Sequence, residues 1–251
     1  MYEFSVVVGI LIAVGFLVWV RRRPEVRPLG VFVLLPAVAA IAVARILLFA
    51  PAGPLMPALQ SGWLRIHVAA AITGSSLLCL ASIFSALYLV KDRVERRAAR
   101  PRPPLVAGGS PTADQVELPT TMARSTATAQ AHAEQAAVSP SGLWERVPSA
   151  GTLDHLAYRT VVFAFPIWTF AIIAGAIWAQ SAWGRYWGWD PKETWSFIVW
   201  VTFAAYLHAR ATAGWRGRRA AWLSLVGLGC LLVNFYAVNL WIIGLHSYAG
   251  V

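Results

Sequence analysis

Charged residues are scarce in this chain of 251 residues. Only 13% of the residues are Asp, Glu, Lys or Arg, which is about half the share found in an ordinary soluble domain. By contrast, 58% of the residues are hydrophobic and the mean hydropathy is +0.60. A soluble surface cannot be covered with so few charges, so the composition predicts a protein that lies in a lipid bilayer.

Cysteines are equally rare, and their positions exclude a disulfide framework. Cys79 and Cys230 each stand alone inside an apolar run, without a CxxC spacing. Such residues are typical small apolar packing groups rather than redox or metal sites. The N-terminus lacks a basic segment and a small-residue cleavage site, so we expect the first apolar run to remain as a span.

Acidic residues are also few, with 11 Asp and Glu against 21 Lys and Arg, for a formal net charge of +10. In a soluble protein this excess would indicate nucleic-acid binding. Here the basic residues flank apolar runs instead of forming a solvated face. We therefore expect them to set the membrane topology and expect no nucleic-acid partner.

Long apolar runs predict an all-α polytopic membrane protein with about six transmembrane helices. The runs are 4–20, 29–49, 64–90, 154–180, 194–210 and 220–242. The fifth run is short and amphiphilic, so its hydropathy gives the weakest prediction of a span among the six. Basic residues cluster after the first, third and fifth runs, around Arg22, Arg96 and Arg218. The positive-inside rule then places both termini on the outer side of the membrane.

The composition divides the chain into three parts. Residues 1–97 hold the first three spans, and residues 151–251 hold the last three. The intervening residues 98–150 are rich in Ala, Pro, Thr, Ser and Gly. This segment cannot bury a core, so it is predicted to be a mobile linker on the cytoplasmic side.

A segment of thirteen residues between the fourth and fifth runs, Trp183–Trp195, combines four tryptophans and a tyrosine with four charged residues. We call it the aromatic segment. Within it, Asp190, Pro191 and Glu193 fit the N-cap, N1 and N3 positions of a helix that begins with a capping box. Asp190 is thus predicted to be structural rather than catalytic. The positive end of this helix, together with Lys192 and Arg185, would suit a carboxylate.

Two histidines are predicted to lie on the same outer side as the aromatic segment. His67 is at the outer end of the third run, and His246 is just beyond the sixth. Two opposed neutral imidazoles can fill the axial positions of a haem iron. Trp183, Trp187 and Trp189 could then cover the apolar face of the porphyrin. The alternative is an interfacial belt of tryptophans with two solvated histidines.

Other ionisable residues near the runs leave more than one interpretation. His208 lies within the fifth run, where an ionisable group is a functional candidate, although it could simply cap the inner interface beside Arg210. His155 has the plainer interpretation of an interfacial group beside Asp154. Arg65 is a further candidate for a carboxylate, with snorkelling to the interface as its alternative.

The aromatic segment, continued as Asp190-Pro-Lys-Glu193, resembles the WWD motif of haem-handling proteins. The region 151–251 resembles the CcsA/ResC branch, called CcsB in some bacteria, of System II cytochrome c biogenesis. The other matching stretches are Leu153–Arg159, Gly175–Ala179, Tyr206–His208 and Gly244–Ala249. The first 95 residues match more loosely, through the order of spans and the His67-Val68 step.

This resemblance implies specific haem ligands. Two outer histidines hold haem b axially in the family, and they correspond to His67 and His246. A third histidine corresponds to His208 and is implied to hold haem in transit through the membrane. The other residues expected around the haem are Trp183, Tyr186, Trp187, Trp189, Asp190, Arg65, Arg185 and Lys192.

The resemblance also implies a function and partners. The chain would be the haem-handling subunit of a System II cytochrome c synthase in the bacterial cytoplasmic membrane. It would move haem b outward and present it for thioether attachment to CxxCH apocytochromes c. A ResB-type subunit would complete the complex, and a thioredoxin-like reductant would keep the thiols reduced. No residue stands out as a general acid or base, so enzymatic activity of the isolated chain is left open.

Two alternatives remain at the level of the sequence. One is a haem exporter or chaperone of the System I type, which binds haem without ligating it and also has six spans and a WWD run. Its motif usually continues differently after the aspartate, whereas this chain reads Pro191-Lys-Glu193. The other is a transporter or structural membrane protein whose tryptophans form only an interfacial belt.

Overall fold

The computed structural model describes residues 2–47, 49, 61–99, 143–242 and 244–246. All regular structure within these ranges is helical, as predicted. The helices are α1 Tyr2–Arg22, α2 Gly30–Leu47, α3 Gly62–Ala98, α4 Leu143–Arg146, α5 Ala150–Trp183, α6 Pro191–Ala211, α7 Arg218–Leu232 and α8 Val238–Trp241. A 3-10 helix, Pro24–Leu29, joins α1 to α2, and a π-helical turn, Val233–Ala237, joins α7 to α8.

Five helical stretches in the described residues are long and apolar enough to cross a membrane. They are Tyr2–Arg22, Pro24–Ile46, Gly62–Ala98, Ala150–Trp183 and Arg218–Trp241. The sixth predicted span, 194–210, coincides with α6. This helix has 21 residues and a length of about 32 Å, but it is less apolar than the other five. The chain is thus a multi-pass helical protein, and the orientation of its termini stays a prediction.

Most of the predicted linker, residues 100–142, lies outside the described residues. Its last part is attached to the helices instead of being free. The Trp144 ring in α4 stacks on Phe32 of α2 at a centroid distance of 5.4 Å. The Trp144 carbonyl also accepts a hydrogen bond from Lys91 Nζ in α3. A single tryptophan in an otherwise small and polar stretch supplies enough apolar surface to hold this end of the segment against the bundle.

Helices α3 and α5 form the most extensive helix pair and make the centre of the bundle. They have 37 and 34 residues, so both extend beyond a hydrocarbon layer of about 30 Å. Small residues allow their close approach. A Cβ atom added at Gly74 would lie 3.2 Å from the backbone of Trp168. Apolar side chains fill the space around this pair, including Leu78, Phe84, Leu153, Phe203 and Leu231.

The bundle has two chemically different ends. The start of α3, the end of α5, the start of α6 and the segment after α8 meet at one end. There they bring together His67, Trp178, Asp190 and His246, and we call this the histidine end. The opposite termini of the same helices form the arginine end. Its residues include Arg96, Asp154, Arg210 and Arg218.

Candidate functional site

A cavity of about 340 Å³ opens at the histidine end of the bundle, between α3, α5, α6 and the π-helical turn. Its size lies at the lower end of the range of cofactor and small-molecule pockets, about 300–1,000 Å³. The wall is mainly aromatic and aliphatic. It is formed by residues that include Phe4, Val68, Trp168, Ile172, Trp178, Tyr186, Trp187 and Phe235, and its polar lining includes His67, Lys192, Glu193, Ser196, Asn234, Asn239 and His246.

One nitrogen of the His67 imidazole is held by a hydrogen bond to the backbone. His67 Nδ1 lies 2.8 Å from the Ala171 carbonyl oxygen on α5, which requires that Nδ1 carries the proton and donates it. The ring rests on Gly175, one turn further along α5. A Cβ atom added there would lie only 2.7 Å from His67 Nδ1. The glycine therefore makes room for the imidazole, and the hydrogen bond leaves the Nε2 lone pair unprotonated.

The imidazole of His246 is fixed in the same manner by a carboxylate. His246 Nδ1 lies 3.0 Å from Asp190 Oδ2 and donates its hydrogen to it. Burial lowers the pKa of His246, although the hydrogen bond to Asp190 acts in the opposite direction. The ring is therefore neutral at neutral pH. As for His67, the proton sits on Nδ1 and Nε2 is the nitrogen that can bind a metal.

Asp190 connects the start of α6 to the end of the chain that carries His246. It is the N-cap of α6 and accepts a hydrogen bond from Lys192 N, while Glu193 Oε2 accepts one from Asp190 N, so the predicted capping box is confirmed. Asp190 Oδ1 also accepts a hydrogen bond of 2.8 Å from Leu245 N. Burial would raise the pKa of Asp190, but the hydrogen bonds from Leu245, His246 and Lys192 lower it overall, so the carboxylate is ionised.

Trp178 on α5 contacts both imidazoles from below the cavity. Its ring is nearly parallel to that of His67, with centroids 6.3 Å apart, and it meets His246 edge-on at 5.8 Å. The Trp183 ring packs edge-on against the rings of Trp178 and His246, at centroid distances of 4.8 Å and 4.9 Å. This aromatic stack holds the two histidines in a fixed relation to each other.

The predicted tryptophan surface is divided by the structure. Trp187 and Tyr186 line the cavity, whereas Trp183 packs behind His246. Trp189 is 64% exposed and adopts the left-handed backbone conformation, with φ of 57°. A bulky residue in this conformation stores strain of about 1–3 kcal/mol and is typical of ligand sites. The Trp189 indole meets Trp187 and Phe197 edge-on, so it lies at the rim of the cavity.

Lys192 supplies an amino group to the wall of the cavity, and burial lowers the pKa of this group to about 7. Its Nζ donates a 2.8 Å hydrogen bond to the carbonyl oxygen of Asn234 and lies 4.9 Å from the centroid of Phe235. Both of these partners belong to the π-helical turn, whose wider winding changes the backbone pairing locally. The Asn234 side chain donates to Ser196 Oγ on α6 at 3.1 Å. The turn therefore carries polar groups into a mainly apolar pocket.

Several buried polar atoms beside this cavity have no hydrogen-bond partner within the described residues. They are Trp187 Nε1, Glu193 Oε1, Asn234 Oδ1 and Arg185 NH1. Leaving a buried polar group unsatisfied costs about 1–3 kcal/mol, so such groups mark positions where a ligand or water is bound. A flat molecule with polar edge groups and a metal centre fits this combination of donors, acceptors, aromatic walls and free imidazole nitrogens.

The other predicted site residues do not line the cavity, although Arg185 lies beside it. Arg185 pairs with Glu193 at 3.6 Å, and Arg65 is exposed near the start of α3. His208 is exposed on α6 toward the arginine end, and His155 is exposed near the start of α5. The structure therefore brings His67, His246, Asp190 and Lys192 together with the aromatic segment, but it does not bring His208 to them.

Three residues of the site were not predicted as such from the sequence. Gly175 and Trp178 belong to the stretch Gly175–Ala179, which was noted only for its resemblance to the family. Their spacing from Ala171, at four and seven residues, could have placed all three on one helical face. Asn234 follows an uninterrupted apolar run, where a single amide is a recognisable signal for a buried polar contact.

Comparison with known proteins identifies the family to which the chain is similar. A family model described as "Cytochrome C assembly protein" matches residues 2–246. The cytochrome c biogenesis protein CcsA of Synechococcus elongatus is 42% identical over 205 residues, covering 78% of this chain and 61% of the relative. The CcsA protein of Gloeobacter violaceus is 40% identical over 252 residues, covering 88% of this chain and 69% of the relative.

A relative from a third organism gives a similar identity and coverage. The CcsA protein of Heterosigma akashiwo is 40% identical over 195 residues, covering 78% of this chain and 58% of the relative. The chain thus spans about three-fifths of the length of the first of these relatives. Because the family model matches from the first helix through His246, the chain belongs to the cytochrome c assembly protein family.

Proposed function

We propose that this protein is the haem-handling subunit of a System II cytochrome c synthase and that it holds haem b at the histidine end. The observation that carries the proposal is the shared arrangement of His67 and His246. Both border one cavity, and both give their Nδ1 proton to a fixed oxygen, at 2.8 Å and 3.0 Å. Metal-binding histidines typically make such a second hydrogen bond, which orients the ring and raises its basicity.

In this proposal the remaining cavity residues hold the rest of the haem. Trp187 and Trp178 give the porphyrin an aromatic surface, and Trp189 covers its rim. Lys192 can exchange the Asn234 carbonyl for a propionate carboxylate, which gains a charge-assisted hydrogen bond. Arg185 can approach from the rim of the cavity once it leaves Glu193. Arg65 stays a weaker candidate because it lies on an exposed surface.

The chemistry then belongs to haem and to the thiols of the apocytochrome, while this chain positions the reactants. Each cysteine thiol adds across a vinyl double bond: the S–H bond and the C=C π bond break, the sulfur forms a C–S bond, and the thiol hydrogen forms a C–H bond, without net redox change. His67 and His246 keep the iron coordinated until the histidine of the CxxCH segment replaces one of them. We assign no general acid or base to the chain, and its ligating activity would depend on a ResB-type partner.

The proposal includes the direction of transport and the membrane. The arginine end faces the cytoplasm of a bacterial cell in this account because basic loops are retained on that side. His208 lies on α6 toward that end, on a face that points away from the bundle. An exposed histidine there fits a transit site whose second ligand comes from the partner subunit.

The experiment that tests the proposal is an absorption spectrum of the purified chain and of three variants. We expect the wild-type chain to copurify with haem and, when reduced, to give the low-spin spectrum of bis-histidine ligation. The amount of haem bound per protein should be at least about tenfold lower in His67→Ala and in His246→Ala than in the wild type, as expected when a metal ligand or its support is removed. His155→Ala is the matched control, because this histidine is exposed and far from the cavity.

Two results would separate the parts of the proposal. If all four proteins were colourless, or if all had the same spectrum, the haem site at the histidine end would be wrong. The transit role requires cells that also contain the partner subunit. His208→Ala should reduce cytochrome c maturation there, and added imidazole should restore it. A normal yield of cytochrome c in that strain would eliminate the transit role while leaving the outer site intact.

The alternative of a haem exporter without ligation shares the same site. Pro191 at the first position of α6 and the capping box that follows favour the System II assignment, because this continuation of the motif is part of the resemblance. The two functions differ in the neighbouring partner. Copurification with a ResB-type subunit supports the synthase, and copurification with an ATP-binding-cassette transporter supports the exporter.

A further inference from the structure

A second pocket lies at the arginine end, on the opposite side of the molecule from the proposed haem site. It has a volume of about 350 Å³ and is lined by Tyr88, Arg96 and the turn 213–219 that leads into α7. Four of its residues are arginines, namely Arg96, Arg216, Arg218 and Arg219. We propose that this arginine pocket binds the phosphodiester headgroup of an anionic phospholipid, an interaction independent of haem handling.

Nearby carboxylates neutralise only part of the positive charge of the pocket. Asp92 pairs with Arg96 at 2.9 Å, and Asp154 pairs with Arg210 while accepting a hydrogen bond from Gly217 N at the edge of the pocket. Within the described residues, Arg216, Arg218 and Arg219 form no ion pair. Three guanidinium groups around one concave surface are therefore available to an anion, and guanidinium groups bind phosphate oxygens in bidentate fashion.

The backbone of the turn adds to this preference for anions. Gly214 and Gly217 both have left-handed conformations, with φ of 62° and 66°, which wrap the chain tightly around the pocket. A Cβ atom at Gly217 would lie 2.5 Å from the Tyr88 hydroxyl oxygen. Helix α7 begins directly after Gly217 without a side-chain cap. The first residues of α7, Arg218 and Arg219, line the pocket, so the positive end of the helix lies beside it, with the Gly217 N–H bonded to Asp154.

The surface below the pocket favours a lipid over a soluble phosphate. Arg218, Trp222 and Val226 are four residues apart and thus lie on one face of α7. Trp222 is 53% exposed and Val226 is 54% exposed, so an apolar stripe runs from the pocket into the bilayer region. Arg219 lies 5.9 Å from the ring of Trp215, an arrangement typical of the headgroup layer. A headgroup in the pocket and an acyl chain along this stripe would fit one lipid molecule.

The test compares two variants with equal loss of charge. Arg216→Gln/Arg218→Gln/Arg219→Gln removes three positive charges from the pocket. The control Arg22→Gln/Arg93→Gln/Arg97→Gln removes three from exposed basic positions outside it. Binding of dioleoyl phosphatidylglycerol to the purified full chain is measured by native mass spectrometry. Dioleoyl phosphatidylcholine and inorganic phosphate are the other two probes.

We expect the pocket variant to bind phosphatidylglycerol roughly 10- to 100-fold more weakly than the wild type, since each arginine near a headgroup contributes about 1 kcal/mol. The control should change less than about threefold, and phosphatidylcholine should bind weakly to all three proteins. Equal losses in both variants would overturn the proposal, because general basicity would then explain the binding. Displacement of the lipid by millimolar inorganic phosphate would overturn the lipid assignment and leave a soluble phosphate site.

Two further variants distinguish a loss of lipid binding from a loss of folding. Arg216→Lys/Arg218→Lys/Arg219→Lys keeps the charges but loses the bidentate geometry, and we expect an intermediate affinity from it. If the triple glutamine variant does not purify, the single variant Arg219→Gln takes its place with an expected loss of about fivefold, on the same basis of about 1 kcal/mol per arginine. An unchanged affinity in that single variant and in the lysine variant would contradict the proposal.

Discussion

At each end of the bundle one aspartate ties a helix terminus to a distant part of the chain, yet the two aspartates hold different partners. Asp190 accepts hydrogen bonds from His246 Nδ1 and from Leu245 N. Asp154 accepts two hydrogen bonds from Arg210, of 2.8 Å and 3.0 Å, and one from Gly217 N. Both networks are largely buried, and both link segments that are more than fifty residues apart.

The difference lies in what the partner can still do once it is bound. A neutral imidazole that donates from Nδ1 keeps a lone pair on Nε2, so the Asp190 network leaves a metal ligand available. A guanidinium has no lone pair to offer, and Arg210 is further enclosed by the rings of Tyr158 and Tyr206. The Asp154 network is therefore a structural clamp. The same type of anchor leaves a metal-binding nitrogen free at one end, and at the other it fixes Arg210 and the turn at Gly217.

The largest effect on stability is expected from Asp154→Asn. This change leaves the buried Arg210 guanidinium without its carboxylate, and breaking such a pair costs about 3–5 kcal/mol. The free energy of unfolding in detergent, followed by circular dichroism, measures the loss. Asp92→Asn is the control: its partner Arg96 is 65% exposed, so we expect a much smaller loss of unfolding free energy. Similar losses in both variants would remove the distinction between a clamp and a surface pair.

Gly175→Ala should have the largest effect on ligand binding among changes that leave the histidines in place. The new Cβ would lie 2.7 Å from His67 Nδ1, so the imidazole has to shift and its hydrogen bond to Ala171 weakens. We expect about a hundredfold loss of haem affinity in a haem titration, near the upper end of effects on the support of a metal ligand.

Gly229→Ala provides the matched change in another helix. No atom lies within 4 Å of the Cβ that would be added there, so haem affinity should stay the same. Both substitutions raise helix propensity by about 1 kcal/mol, which allows the effect of the His67 contact to be separated from that of the helix. Equal haem affinity in the two variants would show that Gly175 has no role in placing His67.

Asp190→Asn should lower haem affinity less than Gly175→Ala does. Asparagine is as good an N-cap as aspartate, so the start of α6 should be retained. The amide is a weaker acceptor for His246 Nδ1–H, and the imidazole becomes less basic. Because the NH2 group of the amide must then face the Leu245 N–H, we expect haem affinity to fall about tenfold and the free energy of unfolding to fall by about 1–3 kcal/mol. A large loss of stability with unchanged haem affinity would instead assign Asp190 to structure alone.

The features that could be predicted from the sequence depend on short spacings. The capping box follows from Asp190, Pro191 and Glu193 within four residues, and the helices follow from the apolar runs. The location of His67 and His246 at one end follows from counting the helices between them. For each of these features, a local sequence pattern or the alternating direction of successive helices is sufficient for the prediction.

The features that could not be predicted depend on packing between distant segments. Asp190 and His246 are 56 residues apart, and no pattern in the sequence indicates that the cap also holds the imidazole. The division of the tryptophans depends on the backbone conformation of Trp189 rather than on composition. The outward direction of His208 depends on how α6 packs against α7, which the sequence of α6 alone does not determine.

The central claim is that Nε2 of both His67 and His246 is available to haem iron while Nδ1 of each is bound to protein oxygen. The most direct test is electron-nuclear double resonance of the ferric haem complex. The protein is produced with histidine that carries ¹⁵N at Nε2. The structure predicts strong coupling from two labelled nitrogens in the wild-type chain and from only one in His246→Ala. Coupling from unlabelled Nδ1 atoms, or an unchanged pair of labelled couplings in His246→Ala, would contradict the account.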